Sequence, residues 1–340
     1  MSIYSWQQAL WDRLWREGGL NHHALLLQGR AGMGKRDFAY ALAQSLLCEN
    51  VQSKSHQACG TCDACHWFSQ GNHPDFRLVE PASMQEESTD SESDEAKTTD
   101  KPDKKASSQI SIAQIRELES FVSVSTHRDG YRVILLNPAE AMNANAANAI
   151  LKMLEEPPAN TRFLLVTSEP RRLLPTVISR CRRLEMPAPE KSVAARWLAE
   201  QGVEHPDNLL AQSGDAPLVA LKLADGEYQS KRREWLQGLA QGKSTPFMML
   251  AESQQKQPLA QPVNWMQTWC YDLLAIKSGA AARYNPDYIE ALNKLSPNLP
   301  MHKLLEWESM LKSAKRFVHH PLNARLFLEQ LLLSYADAFR

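Results

Sequence analysis

The stretch Gly29-Arg30-Ala31-Gly32-Met33-Gly34-Lys35-Arg36 decides the fold of the first half of the chain. It follows the apolar run Ala24–Gln28, which is typical of a buried parallel strand, and it precedes Phe38–Cys48, an Ala- and Leu-rich helix pattern. Glycines between a strand and a helix allow backbone N–H groups to surround phosphate oxygens, and the lysine reaches the β and γ phosphates. The stretch therefore predicts a phosphate loop. Its candidate cofactor-binding residues are Gly29, Gly32, Gly34 and Lys35.

Two positions depart from what ATP hydrolysis requires. The residue after the lysine should be Ser or Thr, whose hydroxyl binds Mg²⁺, but Arg36 has donors and no acceptor. The apolar run Tyr131–Leu136 should end in a metal-binding Asp, but Asn137 and Pro138 follow it, and Glu140 comes several residues late. We therefore predict no ATP hydrolysis by this chain alone. The sequence leaves open whether the loop binds a nucleotide without hydrolysing it or binds none.

Strand and helix patterns alternate through the first half of the chain. Phe76–Val79, Tyr131–Leu136 and Phe163–Thr167 have strand composition, and Ala139–Glu155 is an Ala-rich helix pattern that ends before two prolines. Such alternation predicts an α/β fold with a mostly parallel sheet covered by helices on both faces.

The segment Ala82–Ser108 differs in composition from its surroundings. It contains no Leu, Ile, Val or aromatic residue, and carboxylates and then lysines dominate it. Such a segment buries too little apolar surface to offset its ordering entropy, so we predict a disordered insertion at 82–108.

The second half has only helical periodicity. Met186–Pro189 is typical of a hinge, Ser192–Tyr228 of short helices, and Ser230–Arg340 of longer ones. We predict that the large core residues of this region are Trp235, Trp265, Trp269 and Trp307.

Four cysteines have the spacing of a metal site. Cys59, Cys62 and Cys65 are separated by two residues each, and Cys48 precedes them. Four thiolates close a tetrahedral site around Zn²⁺ and leave no position for substrate, so we predict structural zinc. The alternative places Cys48 in a helix core and leaves three free thiols. The nearby spare ligands are His66 and His73.

Bulk composition excludes some classes of function. The chain has 340 residues and a formal net charge of -1, which gives no general attraction to nucleic acid or membrane. No apolar run approaches the length of a membrane span. We predict a cytoplasmic protein, in which cysteines bind metal or pack in the core rather than form disulfides.

Two later stretches resemble the AAA+ subunits of bacterial DNA-polymerase clamp loaders. Asn143–Pro158 is similar to the helix after their metal-binding strand, and Thr167–Pro170 with Leu174–Cys181 is similar to their sensor-1 and Ser-Arg-Cys region. The resemblance covers about Met1–Leu221. It implies an AAA+ P-loop-like domain (1–187) that contains a zinc module (48–65), a helical lid domain (188–228) and a helical collar domain (229–340).

The resemblance also implies a role for Arg180 in the sequence Ser179-Arg180-Cys181. In the family this arginine reaches the ATP of the neighbouring subunit, where an arginine finger stabilises the transferring phosphoryl group. Gly214–Pro217 lacks the family's sensor-2 arginine. This third departure makes the chain similar to the family's non-hydrolysing stator subunit. The implied partners are the motor subunits and the delta subunit in a hetero-oligomeric ring, and, through the complex, the sliding clamp and primed DNA.

Two other functions remain alternatives. One is an active AAA+ ATPase motor subunit of the same ring, and the other is a free-standing zinc-dependent nucleic-acid-binding protein. A motor hydrolyses ATP without its partners, whereas a nucleic-acid-binding protein binds DNA with a steep salt dependence.

Overall fold

The computed structural model describes residues 3–18, 21–86, 107–123, 130–254, 257–318 and 320–339. The chain divides into two compact units, Met1–Pro189 and Glu190–Arg340. The residues predicted as lid, apart from 188 and 189, and those predicted as collar belong to the second unit, where each set has its own apolar cluster. No helix in the described ranges is long and apolar enough to cross a membrane.

A parallel sheet of five strands forms the centre of the first unit. The strands are β1 (Ala24–Gln28), β2 (Phe76–Val79), β3 (Arg132–Leu136), β4 (Thr161–Thr167) and β5 (Arg182–Glu185). Their order is β2-β3-β4-β1-β5, and every neighbouring pair is parallel. The predicted α/β fold and its four predicted strands are confirmed. Because all strands run in the same direction, the residues that follow β1, β2, β3 and β4 all lie on one side of the sheet, at the carboxyl ends of the strands.

The described residues of this unit form seven α-helices. They are α1 (Gln8–Arg16), α2 (Lys35–Leu47), α3 (Asp63–Ser69), α4 (Ala82–Glu86), α5 (Ile112–Ser123), α6 (Ala144–Glu155) and α7 (Pro175–Ile178). Where the structure describes the chain, 3₁₀ turns accompany them at Ser5–Gln7, Ala139–Ala141 and Pro170–Arg172.

Local chemistry sets where these helices begin. The predicted helix Ala139–Glu155 is two elements, because the side chain of Asn143 accepts a hydrogen bond from the Ala146 N–H and so caps α6. In the segment 82–108, Ala82–Glu86 is helical, and the predicted disorder of 87–106 lies outside the described residues.

The second unit is all helical, as predicted. Its α-helices are α8 (Lys191–Glu200), α9 (Pro206–Ser213), α10 (Pro217–Leu223), α11 (Gly226–Leu239), α12 (Phe247–Ser253), α13 (Ala260–Lys277), α14 (Ile289–Leu295), α15 (Met301–Ala314) and α16 (Ala324–Asp337). The four tryptophans predicted as core residues are buried in its large apolar cluster. A buried carboxylate, Asp272, accepts hydrogen bonds from the backbone N–H groups of Arg283, Tyr284 and Asn285 and so fixes the loop after α13.

Candidate functional site: a modified phosphate loop, an exposed arginine and a cysteine cluster

The loop between β1 and α2 has the backbone of a phosphate loop. Gly32 and Gly34 have positive φ angles of 77° and 80°, which glycine adopts without strain. Gly34 is the N-cap of α2, and a Cβ atom at this position would lie 2.6 Å from two ring carbons of Tyr4. Glycine is therefore required at 34 both by the backbone conformation and by the close approach of an aromatic ring.

The lysine of the loop is turned back onto its own backbone. Lys35 Nζ donates to the carbonyl oxygens of Gly29 at 2.9 Å and Arg30 at 2.6 Å. The residue is 5% exposed, and burial lowers the pKa of Lys35 to about 8, an effect that the nearby carboxylate of Glu140 opposes. In this conformation two hydrogen bonds to loop carbonyl oxygens hold the ammonium.

The N-terminal turn, Tyr4–Gln7, covers the loop. Gln7 Nε2 lies 2.9 Å from the carbonyl oxygens of both Met33 and Gly34, and Trp6 Nε1 donates to Met33 O at 3.2 Å. The Tyr4 hydroxyl donates to Asp37 Oδ2 at 3.2 Å. Sequence reasoning missed this contact, because nothing in the first residues indicates that they return to the loop.

A charged network lies where the loop and the next strands would bind Mg²⁺. The Arg36 guanidinium forms an ion pair with Glu80 at 3.1 Å. Asn137 Nδ2 donates at 2.8 Å to Glu80 Oε1, the same oxygen that lies 3.1 Å from Arg36. Glu80 and Asn137 follow β2 and β3 directly, and both are buried. The two residues that depart from the hydrolytic pattern are thus joined through one carboxylate, which sequence reasoning did not identify.

Glu140, the late acid, serves a different part of the site. Its Oε1 accepts the backbone N–H of Ser168, directly after β4, at 2.9 Å. The carboxylate therefore ties the turn after β3 to the predicted sensor-1 stretch. A cavity of about 570 Å³ remains beside the loop and is lined in part by Gly29, Arg30, Ser168 and Met186. The structure thus has space next to the loop, so nucleotide binding stays an open alternative.

The predicted finger residue lies at the surface. Arg180 follows α7, and its side chain is 33% exposed. It forms an ion pair with Glu155, the last residue of α6. Its neighbours are fixed differently: the Ser179 hydroxyl donates to Thr176 O at 3.0 Å, and Cys181 is buried, which raises the pKa of its thiol to about 12. Cys181 is therefore a core residue, whereas Ser179 and Arg180 reach solvent, and Arg180 is the charged one of the two.

The four cysteines come together as predicted. All four sulfur atoms lie within 4.8 Å of one another. Individual Sγ–Sγ distances are 3.5 Å between Cys48 and Cys59, 3.9 Å between Cys48 and Cys62, and 4.0 Å between Cys59 and Cys65. Zinc bonded to four sulfurs at about 2.3 Å gives sulfur–sulfur edges of about 3.8 Å. The cluster therefore has the dimensions of a tetrahedral thiolate site and could hold a metal ion.

Backbone groups prepare this cluster for a cation. The N–H groups of Thr61 and Cys62 point at Cys59 Sγ at 3.5 and 3.4 Å, and they lower the pKa of Cys59 to about 6. The spare candidates make other contacts: His66 Nε2 lies 3.1 Å from Gln70 Nε2, and His73 Nδ1 accepts the Asp75 N–H at 3.1 Å. The four thiols are thus the ligand set that the structure favours.

Comparisons with known proteins identify one family over almost the whole chain. Residues 7–190 match the family model described as DNA polymerase III, delta subunit, and residues 227–337 match the model for the C-terminal part of that subunit. The chain is 34% identical to the DNA polymerase III subunit delta' of Pseudomonas aeruginosa, over 98% of both proteins. It is 32% identical to subunit delta' of Escherichia coli, over 88% of this chain and 85% of that protein. It is also 29% identical to subunit tau of Salmonella typhimurium, over 61% of this chain and 29% of that longer protein.

Proposed function

Because the chain belongs to the delta-prime subunits of DNA polymerase III, components of its clamp loader, we propose that it is the stator of that assembly. A stator takes part in loading the sliding clamp onto primed DNA and hydrolyses no ATP of its own. It acts in a hetero-oligomeric ring, with ATPase motor subunits and the delta subunit as partners.

One observation carries the proposed lack of hydrolysis: Arg36 occupies the position of the metal-binding hydroxyl and pairs with Glu80, which also accepts from Asn137. A guanidinium at this place repels Mg²⁺, and Glu80 is already neutralised by it. Lys35 is bonded to the loop carbonyls instead of projecting from them. The position that should supply a hydroxyl to Mg²⁺ therefore carries a cation, and Lys35 is engaged by the loop carbonyls.

The proposed contribution of this chain to catalysis is Arg180. Its guanidinium is at the surface, on a segment that resembles the Ser-Arg-Cys region of the family. At a subunit interface it would stabilise charge on the phosphoryl group bound by the neighbour. The chain would then complete an active site that it does not itself contain.

We further propose that Cys48, Cys59, Cys62 and Cys65 hold structural Zn²⁺. The metal would close the excursion between α2 and β2 and supply no chemistry, because four protein ligands leave no open coordination position. This excursion also contacts the N-terminal helix, since Trp11 Nε1 donates to Ser55 O at 2.8 Å and the rings of Trp15 and His56 stack at 4.8 Å. The metal would thus stabilise α1 as well as the loop that it closes.

The test is ATP turnover by the purified chain and by a reconstituted clamp loader. We expect no turnover by the chain alone. In the Arg180→Ala complex, we expect ATP hydrolysis at the adjacent site to be at least about tenfold slower than in the wild-type complex. Arg172→Ala is the matched control, because Arg172 is also a surface arginine paired with a glutamate. Metal-dependent turnover by the chain alone, abolished by Lys35→Ala, would instead identify an active motor subunit.

A further inference from the structure

Arg180 is held by its own subunit before any neighbour is present. Its Nη1 lies 3.0 Å from Thr176 O and 3.4 Å from Ser179 Oγ, both within the turn that carries it. Its Nη2 pairs with the carboxylate of Glu155. Of these three contacts, the one with Glu155 comes from a different element, because Glu155 ends α6.

These contacts leave part of the guanidinium available. Arginine has five N–H donors in a planar fork, and the three contacts use at most three of them. Two donors are enough for a paired contact with phosphoryl oxygens. The carboxylate can therefore remain bound to one side of the fork while the other side reaches a neighbour.

We propose that Glu155 is a positioning residue for Arg180, which fixes the guanidinium in the orientation that the neighbouring active site needs. This inference rests on the proposed function of Arg180 as a finger in trans. A free arginine at a surface samples many rotamers, and ordering it during assembly or in the transition state slows the reaction. The ion pair from α6 removes much of that freedom beforehand, because α6 is packed on the sheet through Ile150 and Leu154.

The experiment compares Glu155→Gln with Glu156→Gln in the reconstituted clamp loader. The two glutamates are adjacent and exposed, so both variants remove one negative charge from the same place. We expect Glu155→Gln to lower kcat for ATP by about 2- to 12-fold with KM unchanged, which corresponds to ~0.5–1.5 kcal/mol of side-chain ordering. Glu156→Gln should retain wild-type kcat.

A double variant separates positioning from a structural effect. If Glu155 acts through Arg180, Glu155→Gln causes no further loss in a complex that already carries Arg180→Ala. An additive loss in the double variant, or an unchanged or raised kcat in Glu155→Gln alone, overturns the inference.

A measurement on the isolated chain distinguishes this inference from the finger proposal. Nitrogen-15 relaxation of the Arg180 Nε–H should show a more mobile side chain in Glu155→Gln than in wild type or Glu156→Gln. Unchanged mobility overturns positioning by Glu155, whatever the complex does. An Arg180→Ala complex with wild-type turnover overturns the finger proposal itself.

Discussion

Replacing Glu80 tests whether a protein network occupies the place of the metal site. Glu80→Ala removes the acceptor of the Asn137 amide, and leaving that buried donor unpaired costs about 1–3 kcal/mol. It also removes the partner of Arg36, whose side chain is 49% exposed, so that water replaces this interaction and its loss adds at most about 1 kcal/mol. The expected destabilisation is therefore ~1–4 kcal/mol. Glu80→Gln keeps an acceptor for Asn137 and loses only the charge, so we expect ~1 kcal/mol or less.

The assay must report on the first unit of the chain. Hydrogen exchange of the backbone amides of β2 and β3 measures the free energy of opening of the strands that Glu80 and Asn137 follow. The difference between the alanine and glutamine variants is the diagnostic quantity, because both lose the ion pair. If the two variants are equally stable, and both lie within ~0.5 kcal/mol of wild type, Glu80 is a solvated carboxylate and the network reasoning is wrong.

Three further predictions concern the loop and the cysteines. In thermal melts, Gly34→Ala should destabilise the first unit more than Gly71→Ala. Both glycines have positive φ, but a new Cβ atom would meet the Tyr4 ring at 34 and nothing within 4 Å at 71. Equal decreases in melting temperature would mean that backbone strain alone matters. Cys59→Ser should abolish stoichiometric zinc in the purified chain and lower its melting temperature, as should a strong chelator with wild type; full stability without metal would contradict this. The free energy of unfolding of wild type, measured relative to Lys35→Met, should rise by ~1–3 kcal/mol between pH 8 and pH 10.5. The reason is that the pKa of Lys35 is about 8 in the folded chain, so that in this range the unfolded chain holds the Lys35 proton more strongly. A difference between the two proteins that does not change with pH would show that burial does not perturb Lys35.

Much of the fold followed from local patterns. The strands β1, β3 and β4 lie inside the parallel sheet and are buried almost throughout, so most of their residues are apolar and the strands are visible in the sequence. The edge strand β2 was visible because Phe76 and Val79 are apolar and buried, although Arg77 between them is exposed. The strand β5 was missed because its sequence is Arg-Arg-Leu-Glu and it lies at the sheet edge, where only Leu184 is buried. The cysteine cluster was predictable because its ligands lie close together in sequence and their spacing is itself the signal.

The interactions that define the site were less accessible because they join distant residues. Arg36 and Asn137 were recognised as departures, but their common partner Glu80 was not. The sequence did contain a signal. Glu80 directly follows β2, and the carboxyl ends of the parallel strands lie on the same side of the sheet as the loop. The N-terminal turn gave no such signal: Trp6 and Gln7 have helix-compatible neighbours, and only the folded chain brings their side chains to Met33.

Contacts within the chain explain how the phosphate loop keeps its conformation in a subunit for which we propose no ATP hydrolysis. Buried backbone carbonyl oxygens must be satisfied by protein donors or by water. Here Lys35 satisfies the carbonyls of Gly29 and Arg30, Gln7 satisfies those of Met33 and Gly34, and Arg36 is balanced by Glu80. All of these bonds are internal to the chain, so the carbonyls of the loop and the charge of Arg36 need no ligand to be satisfied. These contacts fix the loop from within the chain, which suits a subunit whose proposed task is to present Arg180 to a neighbour rather than to bind and hydrolyse ATP itself.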